Sequence, residues 1–336
     1  GTPVYVYSAA AFLKQIASYK KAFLGLDPLF CYAMKANSSG GLCALAAKEG
    51  WGADVVSGGE LYRALKAGFK PGKIIFSGVG KTPAELEYAL KTGILFVNAE
   101  SMEEVLELEK AAARLKVRAP FSLRINPDVD PHTHKFITTG KLGSKFGVSF
   151  AEAEKIYMYA AESRHLKPVG AQFHIGSQVR SAGPYAMAAG RLAAFMLRLA
   201  SRGVNLAYAD VGGGWGVAEG SEMPDPAALA KAVGGVFAGT GLKLILEPGR
   251  SVAAPAGLLL TSVIYRKRGG DKNFVVVDAA MNDLVRPALY GAKHPVALLG
   301  PGGPERTFDI VGPVCESGDF LAEGVRLKEP AAGQLI

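Results

Sequence analysis

Leu29-Phe30-Cys31-Tyr32-Ala33-Met34 is a short apolar run that ends abruptly at a charge, Lys35. An uninterrupted run of this length reads as a strand buried on both faces, as in a parallel sheet. The same unit recurs at 53–56, 74–77, 95–97, 121–125, 169–175, 206–211 and 243–246. Helix-like stretches lie between most of these runs, at 59–67, 82–91, 101–115, 151–163, 184–202 and 226–238. Eight such repeats within this length predict an α/β fold, a TIM (β/α)8 barrel.

The pattern changes past residue 250. Residues 251–266, 274–278, 295–299, 307–311 and 319–322 read as strands between Gly/Pro turns, with little helix. They predict an antiparallel β-domain, sandwich- or barrel-like, which the strand-like Val4-Tyr5-Val6-Tyr7 joins. The expected division is a barrel over 9–250 and a β-domain over 1–8 and 251–336.

Composition narrows the function classes. The 336 residues are 49% hydrophobic, so a large core is available and disorder is excluded as the main state. The net charge of +8 is spread along the chain without a run of four basic residues. It fits small anionic ligands and disfavours nucleic acid. Glycine, at 42 residues, is well above its usual share and implies tight turns or close backbone approaches. Cys31, Cys43 and Cys315 are odd in number and unpaired in spacing, which reads as reduced thiols in a cytoplasmic protein. No apolar run approaches the ~18 residues of a membrane span.

In a barrel of this kind the chemistry sits at the carboxyl ends of the strands. Those ends bring Lys35, His174, a Gly212-Gly213-Gly214 turn and Glu247 to one mouth. Lys35, desolvated there, would have a lowered pKa and a free amine for Schiff-base formation; the alternative is a surface lysine. The three glycines could offer consecutive backbone N–H groups to a phosphate, with the Ser177 hydroxyl beside them; the alternative is a plain tight turn. Glu247 could pair with a protonated pyridine nitrogen or with an arginine such as Arg250. His174 could stack on a planar cofactor or be a satisfied core histidine. Cys315, beside Glu316, is a candidate proton donor or an ordinary buried thiol. Arg286 and Tyr290 could bind a substrate carboxylate or be a surface pair. His132 and His134, near Asp128 and Asp130, lack helical i, i+4 spacing, so no metal site is expected.

Five motifs occur in order: Tyr32-Ala33-Met34-Lys35-Ala36-Asn37, His174-Ile175-Gly176-Ser177-Gln178, Asp210-Val211-Gly212-Gly213-Gly214, Glu247-Pro248-Gly249-Arg250 and Cys315-Glu316-Ser317-Gly318-Asp319. Together they resemble the fold-type III pyridoxal-phosphate decarboxylases over essentially the whole chain. The segment from Asn126 to His134 and Lys145-Phe146-Gly147 make the pattern most similar to the bacterial diaminopimelate-decarboxylating branch.

The resemblance implies that pyridoxal 5'-phosphate is the cofactor and Lys35 its covalent anchor. His174 would stack on its ring, and Glu247 would meet its nitrogen. Ser177, Gly212, Gly213, Gly214, Gly249 and Arg250 would hold its phosphate. Asp54 and Arg124 match positions near the cofactor. Arg250, Arg286, Tyr290 and Glu316 would bind the amino-acid substrate, and Cys315 would protonate the product carbon. A homodimer with shared active sites is implied, Cys315 and Glu316 serving the partner's barrel. The implied reaction is decarboxylation of meso-2,6-diaminopimelate to L-lysine. Rival readings are a same-fold decarboxylase of ornithine, arginine or carboxynorspermidine, a cofactor-free Schiff-base aldolase, and a non-catalytic partner-binding relative. The family pattern also continues with an Ala-Gly-Ala-Tyr-like segment that is missing here, so the β-domain is expected to be incomplete at its C-terminal end.

Overall fold

The computed structural model describes residues 1–130, 144–218 and 222–336. His132 and His134 lie outside them. The chain forms two compact units. The larger comprises Ala9–Val217 and Pro224–Pro255. The other comprises Gly1–Ser8, Ala218–Met223 and Ala256–Ile336.

In chain order the strands are β1 (Val4–Tyr7), β2 (Leu29–Ala33), β3 (Gly52–Val55), β4 (Ile74–Phe76), β5 (Phe96–Ala99), β6 (Ala119–Arg124), β7 (Leu166–Gln172), β8 (Tyr208–Asp210) and β9 (Lys243–Leu246). Strands β2 to β9 pair in parallel in sequence order, and β9 returns to β2 through Leu29 and Phe30 beside Ile245 and Leu246, closing the barrel. The helices are α1 (Ala9–Ala22), α2 (Gly40–Lys48), α3 (Gly58–Ala67), α4 (Pro83–Thr92), α5 (Met102–Leu115), α6 (Phe150–Glu162), α7 (Gly183–Ser201) and α8 (Pro226–Phe237). Short hydroxyl side chains set where several of them start. Ser57, Ser101 and Ser149 each accept from the backbone N–H three residues on, and Thr82 forms a full capping box with Glu85.

Several sequence boundaries shift. The strand expected over 169–175 ends at Gln172, and that expected over 206–211 ends at Asp210, so His174 and the glycines lie on loops beyond the strands.

The second unit has β10 (Gly257–Leu260), paired antiparallel with β1, and a four-stranded sheet in the order β11 (Val263–Gly269), β12 (Lys272–Val277), β13 (Glu305–Val311) and β14 (Phe320–Lys328). Val263, Val275, Val277, Phe308, Ile310, Leu321 and Leu327 form its core. The β12–β13 pair is parallel, an exception to the antiparallel expectation. The single strand expected over 251–266 is instead a short helix (α9, Arg250–Ala253), a 3-10 turn and two strands, because an alanine-rich stretch with Pro255 interrupts the run. Residues 295–299 form no strand. Val296 and Leu298 alternate onto the core, but the backbone finds a ladder partner only at Leu299, opposite Leu335. Among the described residues no helix is long and apolar enough to cross a membrane.

Candidate active site

Lys35 lies in the 3-10 turn Met34–Ala36 directly after β2. Its Nζ donates to Oδ2 of Asp54 on β3 at 2.5 Å. The Asp54 carboxyl is fully buried, whereas 44% of the Lys35 side chain still meets solvent. Surrounding protein desolvates the ammonium and pulls its pKa down, but the carboxylates of Asp54 and Glu247 outweigh this and hold it above the usual lysine value. This corrects the expectation of a lowered pKa: without a ligand, Lys35 is a held cation.

Glu247 follows β9 and is buried. Its Oε1 accepts from Nε2 of Gln172, at the end of β7, at 2.5 Å. Asp210, at the end of β8, faces it. Burial first, then Asp210 and Asp54, push the Glu247 pKa well up, against the pull of Lys35. Burial also raises Asp210, to about 6, although the Gly212 N–H and Glu247 itself hold it back. Glu247 is thus the proton holder of the pair and Asp210 the acceptor. The ion pair considered between Glu247 and Arg250 is not the arrangement found, because the Arg250 Nε and Nη2 donate to Ser177 Oγ at 3.3 and 3.1 Å.

His174 accepts from the Gly213 N–H through Nδ1 at 3.1 Å. Burial, then the charges of Arg124 and Lys35, hold its pKa well below the usual histidine value. The ring is therefore neutral and carries its proton on Nε2. Arg124 is fixed by Glu100 Oε1 at 3.2 Å and packs over the Phe146 ring.

The glycine turn is partly bonded within the protein. The Gly212 N–H donates to Asp210 Oδ1 at 2.9 Å and the Gly213 N–H to His174, so two of the three amides are used within the protein. Gly214 remains as the backbone donor of the set. The glycines are required by close packing: a Cβ on Gly213 would lie 2.1 Å from the Glu247 carbonyl oxygen, and one on Gly214 1.9 Å from that of Gly176. Tyr185 Oη donates to the Gly213 carbonyl at 2.7 Å from α7.

The structure therefore brings Lys35, Asp54, His174, Ser177, Gly212, Gly213, Gly214, Glu247, Gly249 and Arg250 to the strand exits of one barrel. Arg286, Tyr290, Cys315 and Glu316 belong to the second unit. There Arg286 and Tyr290 bound the short helix α10 (Arg286–Tyr290), and the Arg286 Nη1 donates to His294 Nε2 at 3.2 Å. Cys315 is exposed, which removes the buried-thiol alternative. The loop that presents it is organised by buried Asp319, which accepts from the Met281 and Val314 N–H groups at 2.7 and 2.8 Å.

Sequence reasoning missed Asp210, Gln172 and Asn98 as site residues. Asn98 Nδ2 donates to Ser77 Oγ at 3.1 Å and to Asp210 Oδ2 at 3.4 Å. Their one signal was a lone polar residue within or at the end of an apolar strand.

The mouth offers an amine, a buried acid partnered by an amide and a second acid, a neutral ring, and a Ser–Arg–Gly anion set. Buried Asp54 Oδ1 and Gln172 Oε1 have no hydrogen-bond partner among the described residues. That donor set fits a phosphorylated pyridine aldehyde: the amine for the aldehyde, the acid for a cationic ring nitrogen, the anion set for the phosphate.

The family profile described as "Pyridoxal-dependent decarboxylase, pyridoxal binding domain" matches residues 9–254. The diaminopimelate decarboxylase of Neisseria meningitidis serogroup B is 49% identical over 325 residues, 96% of this chain and 78% of that protein. The crystal structure of diaminopimelate decarboxylase from Helicobacter pylori complexed with L-lysine has a TM-score of 0.97 at 43% identity, covering 100% of this chain and 84% of that one. The M. jannaschii enzyme of the same name, in co-complex with L-lysine, has a TM-score of 0.93 at 33% identity, covering 100% and 81%.

Proposed function

The chain belongs to the pyridoxal-dependent decarboxylases, and we propose that it removes CO2 from meso-2,6-diaminopimelate to give L-lysine, the last step of lysine synthesis, with pyridoxal 5'-phosphate as cofactor. The observation that carries this reading is Lys35 and Glu247 at one barrel mouth, in a chain similar to diaminopimelate decarboxylases over nearly its full length.

When bound, pyridoxal phosphate supplies a protonated ring that takes up the electron pair left on the α-carbon as CO2 departs. Lys35 is its covalent anchor, and Asp54 holds the Lys35 Nζ in place until the anchor forms. Glu247, fixed by Gln172, holds the proton at the ring nitrogen. A cation there returns Glu247 to its carboxylate form, because the positive charge compensates the buried negative one. Neutral His174 lies against the ring without adding charge. Ser177, Gly214, Gly249 and Arg250 bind the phosphate, and the contact of Arg250 with Ser177 favours that role over the distal substrate site. Gly212 and Gly213 shape the turn.

In the second unit, Arg286, Tyr290 and Glu316 bind the distal amino-carboxylate, for which an arginine fork is suited. Exposed Cys315 returns a proton to the α-carbon. In a homodimer, Cys315 and Glu316 serve the partner's barrel. The unpaired thiols support a cytoplasmic setting.

The test is CO2 release from meso-diaminopimelate, ornithine, arginine and carboxynorspermidine, assayed side by side with added cofactor. Release from diaminopimelate alone, with lysine as product, is expected. Release from another of these compounds in its place overturns the substrate assignment, and release from none overturns the activity.

A further inference from the structure

The roles above leave Gln178 unused, although it follows Ser177 directly. Its backbone is at φ 62, in the left-handed region that a residue with a Cβ disfavours. Its side chain is buried, and both ends of its amide meet one residue. Nε2 donates to the Val217 carbonyl at 2.9 Å, and Oε1 accepts from the Val217 N–H at 3.1 Å. This is the reciprocal pattern of a β-ladder rung, made by a side chain. Beside it the Val179 N–H donates to the Gly214 carbonyl at 3.0 Å, and the Gly216 N–H donates to the Val179 carbonyl at 2.9 Å. Segment 177–179 is thereby fastened to segment 214–217. Ser177 and Gly214, which donate to the phosphate in the reading above, sit at the head of the two fastened segments.

We propose that Gln178 is a positioning residue for the phosphate end of the cofactor site, its amide fixing the spacing between Ser177 Oγ and the Gly214 N–H. The inference rests on the reading that the phosphate binds there. Gln178 touches no ligand; it acts through the two groups that do. The strained backbone is the cost of aiming its amide at Val217 rather than at solvent. A loosened rung leaves both donors present but separately mobile, which weakens binding of a phosphate and not of a ring.

The test uses the enzyme stripped of cofactor and retitrated, with pyridoxal 5'-phosphate and with pyridoxal, which lacks the phosphate. Q178E keeps the size and the acceptor but sets an oxygen against the Val217 carbonyl. Q178G deletes the amide at a φ that glycine adopts freely, so it keeps the test open should Q178E fail to fold. In both variants affinity for pyridoxal phosphate is expected to fall about tenfold, the scale of one or two misplaced hydrogen bonds, with pyridoxal affinity unchanged. An equal loss for both ligands, or no loss, overturns the proposal. A parent enzyme that binds pyridoxal as tightly as pyridoxal phosphate overturns the phosphate reading itself, and the proposal with it.

Discussion

The two ends of the same barrel strands are built on opposite terms. At the entry to β2 and β3, Phe30 stacks on Trp51 with centroids 4.9 Å apart, and Phe23 and Tyr19 pack edge-on to Phe30 at 5.5 and 5.9 Å. These rings pack against one another, and the Trp51 Nε1 has no hydrogen-bond partner among the described residues. In the exit halves of the strands and just beyond them, the buried polar residues include Asp54, Asn98, Ser122, Gln172, Asp210 and Glu247. Among the described residues, Asp54 Oδ1, Asn98 Oδ1, Ser122 Oγ and Gln172 Oε1 have no partner there. The entry end supplies stability through burial. The exit end gives some of it up, because groups that must meet a ligand cannot be fully satisfied by the protein alone.

Substitutions at the two ends should therefore have opposite signatures. Phe30→Ala removes a ring that packs against three others, so unfolding in denaturant should show a loss of about 3–5 kcal/mol. The folded fraction should keep its cofactor absorbance; loss of that absorbance in a fully folded variant would mean the two ends are not separable. Glu247→Gln should do the reverse. Turnover is expected to fall about 100-fold or more, because an amide cannot hold the ring nitrogen's proton as a carboxylate does. Stability of the cofactor-free protein near neutral pH should hold or rise, since the buried group no longer has to take up a proton on folding. Near-normal turnover in this variant would remove Glu247 from the ring nitrogen.

The same contrast explains what could be read in the sequence. Strands buried on both faces are continuous apolar runs, so all eight barrel strands were visible to within about three residues at each end. The site was legible where a functional group ends such a run, as Lys35 and Glu247 do. It was not legible where a polar residue lies among apolar neighbours, as Gln172 does between Ala171 and Phe173. A local pattern carries no information about the strand opposite. The Asp54 contact that keeps Lys35 charged spans 19 residues, and the Gly213 amide given to His174 spans 39. The first reverses the lowered pKa expected from desolvation at a strand end, and the second gives one of the three glycine amides a partner within the protein. Residues 295–299 failed for the complementary reason, an alternating pattern with core contacts but no strand to pair with.

The smallest effect sharpens the contrast by pH. Asp210 is buried, and its pKa rises from 3.8 to about 6 in the ligand-free fold. Between those values the folded protein keeps a proton that the unfolded chain has released. Stability must then fall as pH rises through this window and stay reduced above it. Asp210→Asn deletes that titration while its amide oxygen can still accept from the Gly212 N–H. His174 acts in the other direction, since its lowered pKa removes stability as pH falls below the usual histidine value, but it is common to parent and variant and cancels in their difference. The melting temperature of Asp210→Asn minus that of the parent, both without cofactor, should therefore grow by a few degrees between about pH 4 and pH 7. A flat difference would mean that Asp210 ionises in the fold as it does in water, and that the exit end carries no electrostatic cost for the cofactor to relieve.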